Sequence, residues 1–238
     1  MTKRIWELDA LRGICVLGMV TVHSIYDAVT LYRLVSWQPG NLFAFVTNWG
    51  GVLFLLISGI CATLSRRTVR RGLTVLGCGM LCTAVTGVMH LLGFSGREMI
   101  IWFGVLHCLG LCMLLWPVFR NCPAWLLLGL GISIAMIGQY FLEHVRLSHD
   151  FLVPFGLTSR SFSSGDYFPL LPNLGFFLMG SATGKVLYRE KRTLFPKISA
   201  DQPVLAFLQL CGRLSLPIYL LHQPVLSLIF SVITSIVK

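Results

Sequence analysis

Seven long apolar runs dominate the chain, at about residues 13–32, 42–64, 72–92, 99–119, 124–142, 169–188 and 214–236. Each is close to the ~20 residues that an α-helix needs to cross the hydrocarbon of a bilayer. No water is available there, so backbone polar groups must be satisfied within a helix or around a closed barrel. The runs lack the dyad alternation of barrel strands, which leaves helices. Composition agrees: of 238 residues, 55% are hydrophobic and 12% charged, roughly half the charged fraction of a soluble domain. No long polar stretch remains from which a separate soluble domain could form. The expected fold is therefore an all-α, polytopic integral membrane helix bundle of about seven transmembrane helices, a single domain over residues 1–238. Acidic Glu7 and Asp9 precede the first run, which is long and has no small-x-small cleavage site after it. It reads as a retained span, not a signal peptide.

Charge orients such a bundle. With a cytoplasmic N-terminus, the inner segments hold 14 of the 19 Lys and Arg residues, including Lys3, Arg4, Arg12 and the run Arg66, Arg67, Arg70 and Arg71. Arg33, Arg97, Arg146, Arg160 and Lys238 are left outside. The positive-inside rule thus predicts N-in and C-out. The net charge of +10 follows from topology and contact with anionic lipid. Nucleic acid is not an expected partner, because the basic residues sit in separate short loops with no groove-reading motif. The arginines of "SRRTVRR", 65–71, read as the stop after span two, with phosphate contact as the other reading.

Eight cysteines fall in or near the spans, and Cys78/Cys82 and Cys108/Cys112 have i, i+4 spacing. They read as small, polarizable packing residues; no metal is expected and no disulfide framework is implied. The 23 glycines suit close helix approach. No internal repeat suggests a transporter built from paired halves.

The costly residues are the informative ones. In "LDALRGICVLGMVTVHSIYD", 8–27, Asp9 and Asp27 are separated by five whole helical turns, and Arg12 and His23 by three turns plus about 20°. His23 and Asp27 are i, i+4 neighbours. If the helix reaches back to Asp9, all four lie on one stripe about 60° wide. Lipid would penalise each by a few kcal/mol, so the stripe must face the interior. A carboxylate one turn from a buried imidazole can orient it and raise its basicity, making His23 and Asp27 a candidate catalytic pair. The alternative is a histidine that only hydrogen-bonds between helices.

His222, in "RLSLPIYLLHQPVL", and His107, in "IIWFGVLHCLG", each lie about two turns into a span and admit both readings. His90, His144 and His149 are less informative. In "SSGDYFPLLPNLG", 163–175, proline and glycine argue against helix before about Leu170. Asp166 and Tyr167 then belong to an ordered outer loop, either an aromatic anchor or an acceptor-binding loop.

"RIWELDALRGICVLGM…H", "LFLLISGI", "IWFGVLHCLG", "DYFPLLPNLGFFLMG" and "LSLPIYLLHQPVL", in that order, resemble the bacterial heparan-α-glucosaminide N-acetyltransferase-like family of the transmembrane acyltransferase superfamily. The likeness runs from about Arg4 to Leu226. It implies transfer of an acyl group from cytosolic acyl-CoA, acetyl-CoA being the expected donor, to a polar acceptor, commonly a sugar, across the membrane. The superfamily spacing of arginine, ten residues, histidine is met by Arg12 and His23. The resemblance makes His23 the catalytic base or acyl carrier and Arg12 a contact to the donor, with Asp9 and His222 also assigned to the donor site. His107 and Asp166 also match recurrent family motifs, and with Tyr167 of the same outer loop they are the candidate acceptor-binding residues. Asn173 and Trp102 depart from the bacterial pattern, which has tryptophan and arginine there. The lysosomal enzyme of the group carries its histidine in the loop after the first span, but residues 28 to 50 here contain none.

The expected partners are the lipid bilayer, acyl-CoA and the acceptor, and a homo-oligomer is compatible with the chain. The expected location is multi-pass in a bacterial cytoplasmic membrane. Two rival classes are a transporter or lipid-handling protein using its histidines as a proton relay, and a non-catalytic assembly subunit. A retinal protein is excluded, since residues 214 to 237 contain no lysine for a Schiff base.

Overall fold

A computed structural model describes residues 5–38 and 40–237, without the side chains of Leu42 and Val237. Lys3, Arg4 and Lys238, which contribute to the charge bias, lie outside the described residues. The regular elements are α1 (Trp6–Tyr26), a π-turn (Asp27–Leu31), α2 (Asn41–Leu64), α3 (Thr68–Leu91), α4 (Val105–Phe119), α5 (Ala124–His144), α6 (Leu170–Leu187), α7 (Pro203–Arg213) and α8 (Ser215–Val237), with two single 3-10 turns. No strand occurs among the described residues, only isolated bridges between Phe103 and Tyr167 and between Leu147 and Ser159. The protein is an all-helical, multi-pass membrane protein.

Five segments are long and apolar enough to cross a bilayer: Trp6–Leu31, Phe43–Leu64, Thr68–Leu91, Ala124–His144 and Ser215–Ile236. They coincide with the first, second, third, fifth and seventh apolar runs. Their outward faces are apolar; on α3, Leu73, Met80, Leu81 and Val88 are all exposed, a surface suited to hydrocarbon rather than water. The fourth and sixth runs hold α4 and α6, of 15 and 18 residues. Helix α4 starts at Val105, later than the run at 99 suggests. Arg97–Met99 forms a 3-10 turn, and Phe103 is held by a bridge in which the Phe168 N–H donates to its carbonyl at 2.8 Å. Helix α6 begins at Leu170, directly after Pro169, where proline and glycine placed the boundary.

The chain forms two compact units, one of Met1–Phe54 with Arg192–Lys238 and the other of Leu55–Lys191. In the first, α1 packs on α7 and α8. A Cβ on Gly13 would run into the Leu208 carbonyl, and one on Gly212 into the Asp9 carbonyl. Glycine at both positions lets the backbones of α1 and α7 touch. Glu7, only 5% exposed, accepts bonds from the Thr193 hydroxyl at 2.9 Å and the Leu194 N–H at 2.8 Å. These bonds tie the chain ahead of α7 to the first turn of α1.

In the second unit, α5 packs on α6 and α3 on α4. Leu55, Leu127, Phe177 and Leu178 are fully buried. The Ser181 hydroxyl of α6 donates to the Gly59 carbonyl of α2 at 3.2 Å.

Candidate functional site

Helix α1 is unbroken from Trp6, so the condition for a single polar stripe holds. Near its start, Arg12 Nη1 donates to Asp9 Oδ1 at 3.0 Å, with both side chains mostly buried. This is the only protein partner of the guanidinium among the described residues. A guanidinium carries five N–H donors, so several stay open for an oxygen-rich anion. Asp9 also fixes where the fork points.

Eleven residues on, His23 Nδ1 bonds the Met19 carbonyl at 2.9 Å. A carbonyl can only accept, so Nδ1 carries the hydrogen and, in the neutral ring, Nε2 keeps its lone pair. The same holds for His222, whose Nδ1 bonds the Tyr219 carbonyl at 2.5 Å. The two rings meet edge to face with centroids 4.9 Å apart. Two imidazoles, each with Nδ1 fixed and Nε2 basic, therefore stand side by side between α1 and α8.

Asp27 is 1% exposed. Gln223 Nε2 donates to its Oδ2 at 3.0 Å and its Oδ1 at 3.3 Å. The carboxylate thus holds α8, and the Met19 carbonyl, not Asp27, orients the His23 ring. Asp27 also opens the π-turn: its carbonyl accepts the Tyr32 N–H at 2.8 Å. Such wide turns interrupt the regular ladder, often beside functional groups. Gln223 Oε1 is buried and has no hydrogen-bond partner among the described residues.

A second cluster lies within the unit Leu55–Lys191. His107, 3% exposed, accepts the Gly104 N–H on Nδ1 at 3.2 Å. Its Nε2–H then donates to Thr83 Oγ1 at 3.2 Å, and that hydroxyl donates to the Ile101 carbonyl at 2.6 Å. Both ring nitrogens are engaged in holding the turn ahead of α4. Asp166 Oδ2 accepts the Val105 N–H at 3.0 Å, capping α4 from the far loop. The Tyr167 hydroxyl donates to the Val153 carbonyl at 2.9 Å, and its ring lies 4.9 Å from that of Phe162. Burial pushes the Tyr167 phenol up to about 12; nearby Asp150 adds to the rise and Arg146 opposes it. Of the two departures from the bacterial pattern, Asn173 is buried and donates to the Pro169 carbonyl at 2.8 Å, whereas Trp102 is exposed.

The geometry thus pairs Asp9 with Arg12 and His23 with His222. His107 meets the Gly104 N–H and the Thr83 hydroxyl, Asp166 the Val105 N–H, and Tyr167 the Val153 carbonyl. Sequence reasoning missed Gln223, Met19, Thr83 and Glu7. Gln223 was findable, since an amide inside an apolar run is as costly as the histidine beside it. The Met19 carbonyl and Thr83 gave no signal, because any residue offers a carbonyl and a span threonine commonly bonds its own helix.

The family model described as Heparan-alpha-glucosaminide N-acetyltransferase, catalytic, matches residues 4–224. No curated protein and no solved structure matches the chain.

Proposed function

The chain belongs to the heparan-alpha-glucosaminide N-acetyltransferase catalytic family, and from that membership we propose a membrane-embedded acyltransferase that moves an acetyl group from cytosolic acetyl-CoA, or another acyl from its acyl-CoA, to an extracytoplasmic polar acceptor such as a cell-envelope sugar. The whole chain acts as one catalytic domain, N-terminus inside, in a bacterial cytoplasmic membrane. The supporting observation is the imidazole pair of His23 and His222, each with Nδ1–H on a backbone carbonyl and Nε2 left basic.

Acyl-CoA, when bound, supplies a thioester carbonyl already activated for attack. Arg12 lies roughly 16 Å from His23 along α1, at the end of the span that the charge bias turns to the cytoplasm. Its open N–H groups take the donor's phosphate, and Asp9 holds them in place. His222 stands beside the thioester. His23 Nε2 takes the proton of the acceptor hydroxyl or amine while that oxygen or nitrogen bonds to the acyl carbon. The C–S bond breaks, and His23 returns the proton to the departing sulfur. The same lone pair serves if His23 carries the acyl group first. Asp27 supports the site by fixing α8 against α1 through Gln223. His107, Asp166 and Tyr167 serve the acceptor side by shaping the loops ahead of α4 and α6. A dry interior keeps water from hydrolysing the thioester.

Acetyl-CoA titration of the detergent-purified protein tests the reading. Saturable binding is expected, weakened at least about tenfold in Arg12→Ala and partly restored in Arg12→Lys, which keeps the charge but loses the fork. A transporter or assembly subunit has no reason to recognise CoA, so absence of saturable binding overturns the proposal.

A further inference from the structure

Of the arginines in the loop after α2, Arg66 lines a hollow that it shares with other cations. In the unit Leu55–Lys191, the ends of α2, α4 and α6 and the start of α3 surround a cavity of about 420 Å³. Arg66, Arg120, Lys185, Arg189 and Lys191 line it, and no carboxylate does. Lys185 is already committed: its ammonium donates to the Arg120 carbonyl at 2.7 Å and the Cys122 carbonyl at 2.6 Å, closing the end of α4. It also lies 6.0 Å above the Trp116 ring, which forms part of the wall. Among the described residues, the guanidinium groups of Arg66, Arg120 and Arg189 and the ammonium of Lys191 have no hydrogen-bond or ion-pair partner.

The positive-inside bias explains why cations gather at one end of the spans. It does not explain why they converge on a concavity. Like charges around one hollow repel one another until an anion neutralises them, and the hollow focuses their field. The volume is within the range of small-ligand sites, about 300–1,000 Å³. Its walls combine guanidinium forks with the apolar faces of Trp116, Pro117 and Val69.

We propose that this cavity is a binding site for a phosphate-bearing anion, with Arg66, Arg120 and Arg189 on the phosphate oxygens and Trp116 against the rest of the ligand. Basic pockets between membrane helices take anionic headgroups by this chemistry, and soluble phosphates present the same oxygens. The site involves no residue of the unit that carries Arg12 and His23, so it stands whether or not that unit performs acyl transfer.

The test compares the full-length protein with Arg66→Gln/Arg120→Gln/Arg189→Gln, keeping Lys185 because it closes α4. One arm titrates sodium pyrophosphate into delipidated protein in neutral detergent. The other reconstitutes it in phosphatidylcholine nanodiscs with or without phosphatidylglycerol and reads retained lipid by native mass spectrometry. Saturable pyrophosphate binding or selective phosphatidylglycerol retention is expected, reduced at least about tenfold in the triple variant. Pyrophosphate binding without lipid enrichment assigns a soluble ligand; retained lipid that pyrophosphate does not displace assigns a headgroup. Melting temperature without ligand checks the fold. If the triple variant melts early, Arg189→Gln alone, at an exposed position, is expected to weaken binding about threefold. Failure of the wild type to bind either probe, or undiminished binding by every variant that folds, overturns the proposal.

Discussion

An imidazole that gives its Nδ1–H to a backbone carbonyl has one basic nitrogen left and no freedom to exchange tautomers. His23 and His222 are both held this way, 4.9 Å apart by ring centroid. If His23 is the base, His23→Gln lowers turnover by about 10²-fold or more, while melting temperature and acetyl-CoA affinity stay at wild-type values. A purely structural histidine gives the opposite pattern, early melting with activity falling only as folded protein is lost. A stable His23→Ala protein with wild-type turnover would end the catalytic assignment. Asp27 and Gln223 make a separate prediction. Gln223→Leu strands the buried carboxylate without its donor, at a cost of about 1–3 kcal/mol, whereas Asp27→Asn can still bond the Gln223 amide. Thermal unfolding in detergent is expected to place Gln223→Leu below Asp27→Asn, and the reverse order would refute the pairing.

At the scale of elements, α7 packs closely against the start of α1. Gly212 lies against the Asp9 backbone, so a leucine there must push α7 away at about 1–3 kcal/mol and disturb the Asp9–Arg12 pair. Gly212→Leu is expected to melt earlier and to bind acetyl-CoA more weakly. Gly18→Ala on the same helix meets nothing within 4 Å among the described residues and serves as the neutral control. The loop ahead of α6 is pH-dependent through Tyr167. Burial favours the neutral phenol, so its contribution to folding is intact below about pH 10, the ordinary tyrosine value. It is lost as pH climbs through about 12. The difference in 295 nm absorbance between wild type and Tyr167→Phe is expected to show phenolate forming near pH 12; formation near 10 would contradict the buried, bonded hydroxyl.

For the whole molecule, the outstanding matter is orientation. The 14-to-5 division of basic residues predicts a cytoplasmic N-terminus and an extracytoplasmic C-terminus. Reporter fusions after Lys238 are expected to be active outside and silent inside; cytoplasmic activity would reverse the topology or change the number of spans. This outcome also bears on chemistry, because Arg12 can meet a cytosolic donor only if the start of α1 faces the cytoplasm.

Apolar length, helical rotation and proline were enough to place five of the seven expected spans, the start of α6 at Leu170 and the alignment of Asp9, Arg12 and His23 along α1. These are local properties: hydrocarbon thickness sets run length, and 100° per residue sets the face. The late start of α4 was not legible, because a bridge to Tyr167 across the fold takes up Phe103. Nor was the site's wiring. His23 and Asp27 are one turn apart, and spacing alone made them partners. Yet Asp27 turns to Gln223, His23 to the Met19 carbonyl, and the neighbour of the His23 ring comes from the other end of the chain. Spacing fixes which side of a helix a residue occupies; only the packing of α1 against α8, with its particular register and rotation, decides which atom it meets there.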